Sequence, residues 1–454
     1  MTQDITDLRA TVRGEVLTPQ DAGYEDARAL HNGMIDRRPA AIVRVSGTAD
    51  VVGVLAYARE HALEVSVRGG GHGVAGHALG GDLVIDLSAL RGVTVDAAAR
   101  TAVVQAGTIW GEVDQATQAH GLAVPGGRIS HTGVAGLTLG GGEGWLSARY
   151  GLSCDNLIAV ELVTADGRVV VADDESEPEL MWALRGGGGN FGVVMSFTFR
   201  LHPLGPLVLG GMLGYRVSDA PAVLDALERL HSAGHDDFAP AAVFLTAPPA
   251  PFVPGHVVGR PILAIVPAWL GDPEAGAEVI RPLFEAATPL FDAVQPMPYP
   301  ALQSMLDDGS QPGRRNRWSA EFVPGLDPSL ISDLQDAAIA APSPLSQLIV
   351  SPLPEAVRTA PDSAFPSRHG GRWLVHPVGV WVDPGDDPAN LAWVQEVTAA
   401  IRKHGVTGSY LNLEQADDDR VRWAMGVRRY RRLQQVKAAW DPGDVFRHCA
   451  HVSP

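Results

Sequence analysis

The sequence predicts an α+β fold with two domains and a C-terminal segment that returns to the first domain. The chain has 454 residues, which is more than one hydrophobic core usually serves. Runs of three or more glycines occur only before residue 205, whereas prolines become frequent and strands alternate with helices after about residue 203. We therefore expect domains at 1–205 and 206–404, followed by a closing segment at 405–454.

Short strands joined by glycine-rich loops are predicted in the first domain. A hairpin is expected between 161–164 and 168–171, because Asp166-Gly167 suits the positive φ angles of a tight turn. Asp50 is predicted to cap a helix, since its carboxylate can accept hydrogen bonds from free amides. The predicted helices lie at 51–61 and 109–120, and the other strands at 63–67, 83–87, 93–95, 101–106 and 193–201.

The second domain is predicted to contain an antiparallel sheet covered by helices. Apolar runs at 346–351 and 372–382 are suited to the centre of that sheet, and 390–404 has the spacing of a packing helix. A further strand is expected at 262–266 and a further helix at 327–340. In the closing segment, one basic helix is predicted over about 420–440, with Asp441-Pro442-Gly443-Asp444 ending it.

Composition excludes several classes of protein and partner. A net charge of −17 disfavours binding to nucleic acid or to an anionic membrane, because both would repel the chain. No apolar run approaches the length of a membrane span, and the first residues lack the pattern of a secretory signal. The chain has two cysteines, Cys154 and Cys449, so a disulfide scaffold is not expected. These features predict a cytoplasmic protein.

Two glycine clusters have the spelling of a dinucleotide-binding motif but not its context. Residues 71–76 and 187–192 both read G-x-G-x-x-G, yet each is followed closely by a predicted strand instead of the required helix. NAD binding of the Rossmann type is therefore not expected. Sequences typical of nucleotide hydrolases, serine hydrolases with a nucleophile elbow and zinc proteases are missing as well.

Seven segments of the chain stand out as motifs: Arg-Gly-Gly-Gly-His at 68–72, Leu-Val-Ile-Asp-Leu-Ser at 83–88, Gly-Gly at 126–127, Gly-Gly-Gly-Glu-Gly at 140–144, Tyr-Gly-Leu-Ser-Cys-Asp-Asn at 150–156, 182–192, and 430–437 near the C-terminus. In their order and spacing they resemble the flavin domain of the vanillyl-alcohol-oxidase superfamily, in its berberine-bridge-enzyme-like branch. The overall length and the closing segment are similar to those of the bacterial 6-hydroxy-D-nicotine oxidase subgroup.

The resemblance implies a PCMH-type FAD-binding domain that holds FAD covalently through two residues. It assigns His72 to the 8α carbon of the flavin ring and Cys154 to C6 of the same ring. Glycine amides are expected to approach the pyrophosphate, because a residue without a side chain permits close contact. The other expected cofactor-binding residues are Arg68, Gly69, Gly70, Gly71, Gly73, Gly127, Thr132, Gly133, Gly136, Gly140, Gly141, Gly144 and Val193.

By the same resemblance, the predicted activity is that of an oxidase. Hydride would pass from the donor to flavin N5, and molecular oxygen would reoxidise the cofactor with formation of H2O2. The family's tyrosine-rich motif near the C-terminus is incomplete here, so the catalytic base stays open between Tyr430, Tyr410 and His131. Val134 matches a position that is valine in family oxidases, which favours oxygen as acceptor.

The resemblance implies that the donor is a bulky alcohol, sugar, phenol or specialised metabolite, because double attachment of the flavin in this family goes with large substrates. The similar nicotine-oxidase subgroup carries charged residues on a sheet strand for amine recognition, whereas the matching strand here, at 347–350, is mostly apolar, which disfavours a nicotine-like amine. Two alternatives stay open: an oxidative cyclase or dehydrogenase that uses another acceptor, and a flavin-carrying binding protein without turnover. Both a monomer and a homodimer are compatible with the sequence, and no metal site is predicted.

Overall fold

The computed structural model describes residues 5–366, 368 and 370–454. A four-stranded sheet comes first in the chain, with the strand order β1-β2-β4-β3. β2, β4 and β3 run parallel, whereas β1 pairs antiparallel with β2. Parallel strands covered on both faces are usually continuous apolar runs, as in the fully buried residues of β4. The strands are β1 (Glu15–Leu17), β2 (Ala41–Arg44), β3 (Val65–Arg68) and β4 (Leu83–Asp86).

An antiparallel five-stranded sheet follows, in the order β5-β6-β10-β8-β9. The predicted hairpin is confirmed: Val163 pairs with Val169 across a turn in which Gly167 has a φ of 88°. A separate two-stranded ladder joins β7 to β11. The strands are β5 (Val93–Asp96), β6 (Thr101–Gln105), β7 (Leu122–Ala123), β8 (Leu157–Val163), β9 (Val169–Asp173), β10 (Val193–Arg200) and β11 (His202–Pro203).

Seven α-helices accompany these sheets in the described residues before Pro203. The third begins at Thr48 and follows Gly47, so the prediction that Asp50 is the helix cap is wrong. Asp50 lies in the first turn, where its carboxylate accepts hydrogen bonds from the backbone amides of Arg13, Gly14 and Ser46. The helices are α1 (Thr6–Thr11), α2 (Tyr24–Arg28), α3 (Thr48–Glu60), α4 (Trp110–Gln118), α5 (Val134–Leu139), α6 (Ser147–Tyr150) and α7 (Pro178–Leu184).

The third large element is an antiparallel sheet of eleven strands, with the main order β16-β13-β15-β14-β20-β21-β19-β22. β12 pairs with β15 and β17, and β18 pairs with β21. The strands are β12 (Val208–Gly210), β13 (Leu213–Arg216), β14 (Phe238–Thr246), β15 (Pro261–Trp269), β16 (Phe291–Asp292), β17 (Gln295–Met297), β18 (Arg315–Trp318), β19 (Glu321–Val323), β20 (Gln347–Pro352), β21 (Trp373–Trp381) and β22 (Gly408–Ser409).

Helices cover one face of this sheet and leave the other face for a cavity. Leu227, Leu334 and Val397, from three different helices, share one hydrophobic core with Val350 and Val375 of the sheet. The helices of this part are α8 (Ala220–Ser232), α9 (Pro273–Val279), α10 (Arg281–Ala286), α11 (Tyr299–Ser304), α12 (Pro328–Ile339), α13 (Glu355–Arg358) and α14 (Asp387–Arg402). The fold is thus the predicted α+β arrangement, with an antiparallel sheet and covering helices in the second half.

The closing segment contains two helices where the sequence predicted one. α15 (Asp418–Met425) and α16 (Val427–Trp440) are separated by Gly426, whose φ of 70° interrupts the right-handed helix. Leu433 and Val436 of α16 belong to the same core as the first two sheets. In the described part of the chain, no helix combines the length and the apolar character needed to cross a bilayer.

Candidate active site

A cavity of about 1130 Å³ lies between the first two sheets and the uncovered face of the large sheet. Its lining comes from glycine-rich loops on one side and from strands of the large sheet on the other. Ordinary ligand pockets measure about 300–1,000 Å³. The cavity therefore has room for a large cofactor and for a second molecule beside it.

Glycines from three loops form one wall of the cavity, which we call the glycine floor: Gly69, Gly70, Gly71, Gly73, Gly127, Gly133, Gly136 and Gly140. Two of these loops touch through their backbones, because a Cβ on Gly70 would lie 2.6 Å from the Cα of Gly133. At Gly73 and Gly136, a Cβ would meet no atom within 4 Å. The first pair needs glycine for packing, whereas the second pair presents bare backbone to open space.

His72 lies at the edge of the glycine floor, after strand β3. Its ring is stacked on His31 with 3.9 Å between centroids, and His131 lies 5.2 Å away. The Nε2 atom of His72 is buried and has no hydrogen-bond partner among the described residues. Burial, reinforced by His31 and His131, holds the pKa of His72 well below its usual value. The imidazole is therefore neutral, and its Nε2 is left for a group outside the chain.

The glycine floor and the free Nε2 of His72 fit FAD better than a metal ion. Ligand nitrogens of His31, His72 and His131 lie within 4.8 Å of one another, so the three imidazoles have the ligand type of a transition-metal site. A metal site would not explain the long floor of bare glycine backbone beside them. A flat, anionic cofactor with one attachment point would use both features.

The opposite wall consists of alternate residues of the large sheet, and we call it the sheet roof. Side chains alternate between the two faces of a strand, so one face of each central strand meets the cavity. The roof residues are Ala241, Val243 and Leu245 of β14, Gln347, Ile349 and Ser351 of β20, and Leu374, His376, Val378 and Val380 of β21. The sequence did not single out His376, because all nine residues of β21 are buried and alternation is invisible there.

Charged and hydroxyl groups meet at one edge of the cavity. Arg128 and Glu143 form an ion pair with 2.6 Å between Nη2 and Oε1, and Nη1 of Arg128 donates to the Ser351 hydroxyl. Burial raises the pKa of Glu143 although Arg128 opposes the shift. The Tyr410 oxygen accepts hydrogen bonds from the amides of Gly142 at 2.8 Å and Glu143 at 3.2 Å. Burial also raises the pKa of Tyr410.

Cys154, the second predicted attachment residue, lies behind the glycine loop. Its side chain is fully buried in an apolar cluster with Leu152, Phe322 and Phe365, and it does not line the cavity. Its backbone amide donates to the carbonyl of Gly141, so the residue packs behind the glycine loop. Burial raises the pKa of the thiol well above its usual value. Cys154 and His72 therefore do not line one common cavity.

Tyr430, another predicted base, is not among the residues that line the cavity. It is a core residue of α16, in the same cluster as Leu433, and its hydroxyl faces Arg422 at 3.5 Å. His131 is not part of the cavity lining, although it neighbours His72. Of the three predicted bases, Tyr410 alone contributes to the lining.

The predicted cofactor residues divide into two groups in the structure. Those that line the cavity are Gly69, Gly70, Gly71, His72, Gly73, Gly127, Thr132, Gly133, Gly136 and Gly140. Besides Cys154, four others do not line it: Arg68, Gly141, Gly144 and Val193. The Arg68 guanidinium instead donates to the Ala27 carbonyl, and a Cβ on Gly144 would strike the Gly126 carbonyl. These residues shape the loops and do not face the cavity.

Comparisons with known proteins agree with this arrangement. Residues 39–173 match the family model described as FAD binding domain, and residues 409–452 match that described as berberine and berberine like. The chain is 30% identical to aclacinomycin-N/aclacinomycin-A oxidase of Streptomyces galilaeus, over 96% of this chain and 89% of that protein. It is 29% identical to (R)-6-hydroxynicotine oxidase of Paenarthrobacter nicotinovorans, over 98% and 97% of the two chains.

A solved structure is similar over the full length of both chains. The crystal structure of 6-hydroxy-D-nicotine oxidase from Arthrobacter nicotinovorans has a TM-score of 0.88 and 27% identity, with 100% of each chain covered. The fold, the glycine floor and these similarities define an FAD-linked oxidoreductase. The chain belongs to the berberine-bridge-enzyme-like family, which combines a PCMH-type FAD-binding domain with a berberine-like C-terminal segment.

Proposed function

We propose that this protein is an oxidase with FAD attached through His72, and that it transfers electrons from a bulky hydroxyl compound to O2. The donor loses two electrons and two protons, and O2 is reduced to H2O2. The observation that carries the proposal is the unpartnered Nε2 of His72 at the edge of the glycine floor. A neutral imidazole with a free lone pair would form a C–N bond to the 8α carbon of FAD. A C–H bond of that carbon would break, the flavin would be reduced by two electrons, and O2 would reoxidise it with formation of H2O2.

The residues of the chain divide the work between holding the cofactor and shaping the donor site. His31 and His131 help to keep His72 neutral, because a positive charge on His72 would be repelled by a positive charge on either neighbour. The glycine floor supplies amides and space at Gly73 and Gly136. FAD, when bound there, supplies the two-electron chemistry. Cys154 has no part in the attachment, because it packs in a separate apolar cluster.

Apolar walls around the outer part of the cavity support a large and mostly uncharged donor. Proline, methionine and phenylalanine side chains line this part: Pro248, Pro249, Pro251, Phe252, Met212 and Met297. Gln347, Ile349 and Ser351 of the roof carry no charge that would bind an amine cation. Two relatives are named as oxidases of 6-hydroxynicotine and of aclacinomycin, which supports a small-molecule donor. An alcohol, sugar, phenol or specialised metabolite fits this lining.

O2 is the acceptor that we propose, on the resemblance of Val134 to the valine of family oxidases. Val134 is fully buried at the start of α5, next to the loop of Thr132 and Gly133. One measurement distinguishes an oxidase from a dehydrogenase or cyclase that uses another acceptor. After anaerobic reduction by a donor, admission of air should restore the visible flavin spectrum and release one equivalent of H2O2.

The attachment is tested by the intact mass and visible spectrum of the purified protein. We expect a yellow protein whose flavin stays with the chain in acid, and whose mass exceeds that of the chain by one FAD. His72→Ala should lose the covalent flavin while retaining its fold. Colourless protein at the mass of the bare chain, after expression with riboflavin supplied, would contradict the proposal. Failure of every alcohol, sugar and phenol in a panel to bleach the flavin would leave a binding protein as the better assignment.

A further inference from the structure

We propose that His376 is the catalytic base, and that its Nε2 takes the hydroxyl proton of the donor. This inference rests on the proposed function. In the step, the O–H bond breaks and its proton moves to Nε2, while the electron pair left on oxygen forms the second bond of a carbonyl group. The neighbouring C–H bond breaks at the same time, and its hydrogen and electron pair pass to FAD as hydride. The donor is oxidised by two electrons, and FAD is reduced by two.

The backbone fixes which nitrogen of His376 can act. Its Nδ1 lies 2.7 Å from the carbonyl oxygen of Ser319. A carbonyl oxygen can only accept, so Nδ1 carries the proton and Nε2 keeps its lone pair. Nε2 has no hydrogen-bond partner within the described part of the chain. Because His376 lines the cavity, Nε2 is the ring nitrogen left for a bound molecule.

The surroundings of His376 are dry and keep its imidazole in the basic form. Trp318 meets the ring edge-on at 5.6 Å, and Leu374 and Val378 flank it on the same face of β21. Trp318 also lies 6.3 Å from the His72 ring, so His376 is near the end of the cavity where the cofactor is attached. Burial lowers the pKa of His376 to about 4. The imidazole is therefore unprotonated at neutral pH.

Other groups near the cavity are less suited to accept this proton. The Tyr410 oxygen already accepts two backbone hydrogen bonds, and burial raises its pKa, so it suits donation better. Proton uptake by Glu143 would break its ion pair with Arg128. Tyr430 lies in the core of the first two sheets. His376 is thus the ionisable side chain on the roof whose free atom can face a donor hydroxyl.

A first experiment uses phenol and anisole as probes of the holoenzyme, because O-methylation replaces the hydroxyl hydrogen with a methyl group and so removes the hydrogen-bond donor. One neutral hydrogen bond to Nε2 should make phenol bind about fivefold more tightly than anisole, as measured by calorimetry. His376→Asn can still donate to the Ser319 carbonyl but has no acceptor at the Nε2 position, so the preference should vanish. His376→Gln places an amide near Nε2 and should restore it. Equal affinities in the unmodified protein would overturn the proposal.

A second experiment separates proton transfer from binding. With a donor from the panel, His376→Asn and His376→Gln should both slow anaerobic flavin reduction by about 10²–10⁴-fold, whereas reoxidation by O2 is unchanged. Added imidazole should partly restore reduction in His376→Ala. A decrease of less than tenfold in His376→Gln would overturn the proposal. If no donor reduces the unmodified enzyme, the proposed function fails, and the phenol preference still decides whether Nε2 accepts from a hydroxyl.

Discussion

Lys437 and Asp441 form an ion pair in which neither side chain is exposed, with 2.6 Å between Nζ and Oδ2. Nζ also donates to the carbonyls of Asn190 and Phe446. Asn190 follows the glycine run at 186–189, and Phe446 belongs to the C-terminal segment that lines one end of the cavity. The pair therefore fastens the end of the chain to the glycine-rich part of the fold.

Replacement of Lys437 by methionine should destabilise the protein strongly. The substitution keeps the length of the side chain but leaves the Asp441 carboxylate buried without its cation, which costs about 3–5 kcal/mol of unfolding free energy. Denaturant titration of both proteins measures this difference. The same change at the exposed Lys403 serves as the control and should alter stability by less than about 0.5 kcal/mol. Equal effects at the two lysines would refute the role of the buried pair.

Loss of the Cys154 thiol should leave the flavin in place. Because Cys154 packs with Leu152 and Phe365 behind the glycine loop, Cys154→Ala is expected to keep the mass and the visible spectrum of the flavinylated protein. Removal of the buried sulfur should cost about 1 kcal/mol of stability. Intact mass spectrometry in acid gives the answer directly. A fall in attached flavin, or a shifted visible spectrum, would show that the thiol reaches the cofactor.

Larger side chains at two glycines of the floor should have different effects, one on flavin content and the other on stability. Gly136→Val places its side chain in open space of the cavity, so the chain should fold while its flavin content falls severalfold. Gly70→Ala drives a methyl group into the Gly133 backbone, and it should cost about 1–3 kcal/mol with or without flavin. Gly255, in an exposed loop with space around its Cβ, is the control for valine. Absorbance ratios and thermal unfolding report the two quantities.

The stability of the protein should depend on pH through His376. Burial lowers the folded-state pKa of His376 to about 4, although its hydrogen bond to Ser319 opposes the shift; in the unfolded chain the value is about 6.5. Between these values the unfolded chain binds a proton that the folded chain does not, so stability falls as pH falls from about 6.5 to 4.

His376→Asn removes this titration and should make the slope of unfolding free energy against pH shallower, by up to about 1.4 kcal/mol per pH unit. Denaturant titrations at pH 8, 6 and 5 give the two slopes. Above pH 7.5 both proteins should show the same slope, which controls for other effects of the substitution. Parallel curves down to pH 5 would mean that His376 is not neutral in the folded protein.

The glycine floor was predictable from the sequence because its residues are defined by backbone geometry. Positions such as Gly70 and Gly133 tolerate no Cβ, and that constraint appears directly as a glycine motif. The packing of Cys154 was not predictable, for the opposite reason. A motif gives the order of residues along the chain, but the turn at Ser153–Asn156 decides on which side of the loop the thiol packs.

The roof was predictable only in part: the sequence indicated the strands at 346–351 and 372–382, but not which of their residues face the cavity. His376 lies in a strand that is buried on both faces, and His31 reaches His72 from a loop near the start of the chain. The break at Gly426 shows a similar limit, since a helical pattern can continue across a residue whose φ ends the helix. The division of the chain at residues 205 and 404 stays a prediction.

The cavity has two walls with separate roles: the glycine floor for the cofactor and the sheet roof for the donor. Alternate residues in β14, β20 and β21 face the cavity, and residues between them pack against the helices behind the sheet. Substitution of the roof residues can thus alter which donor is accepted while the flavin chemistry is left intact. Proteins with this fold can therefore change their donor specificity by single substitutions on these strands.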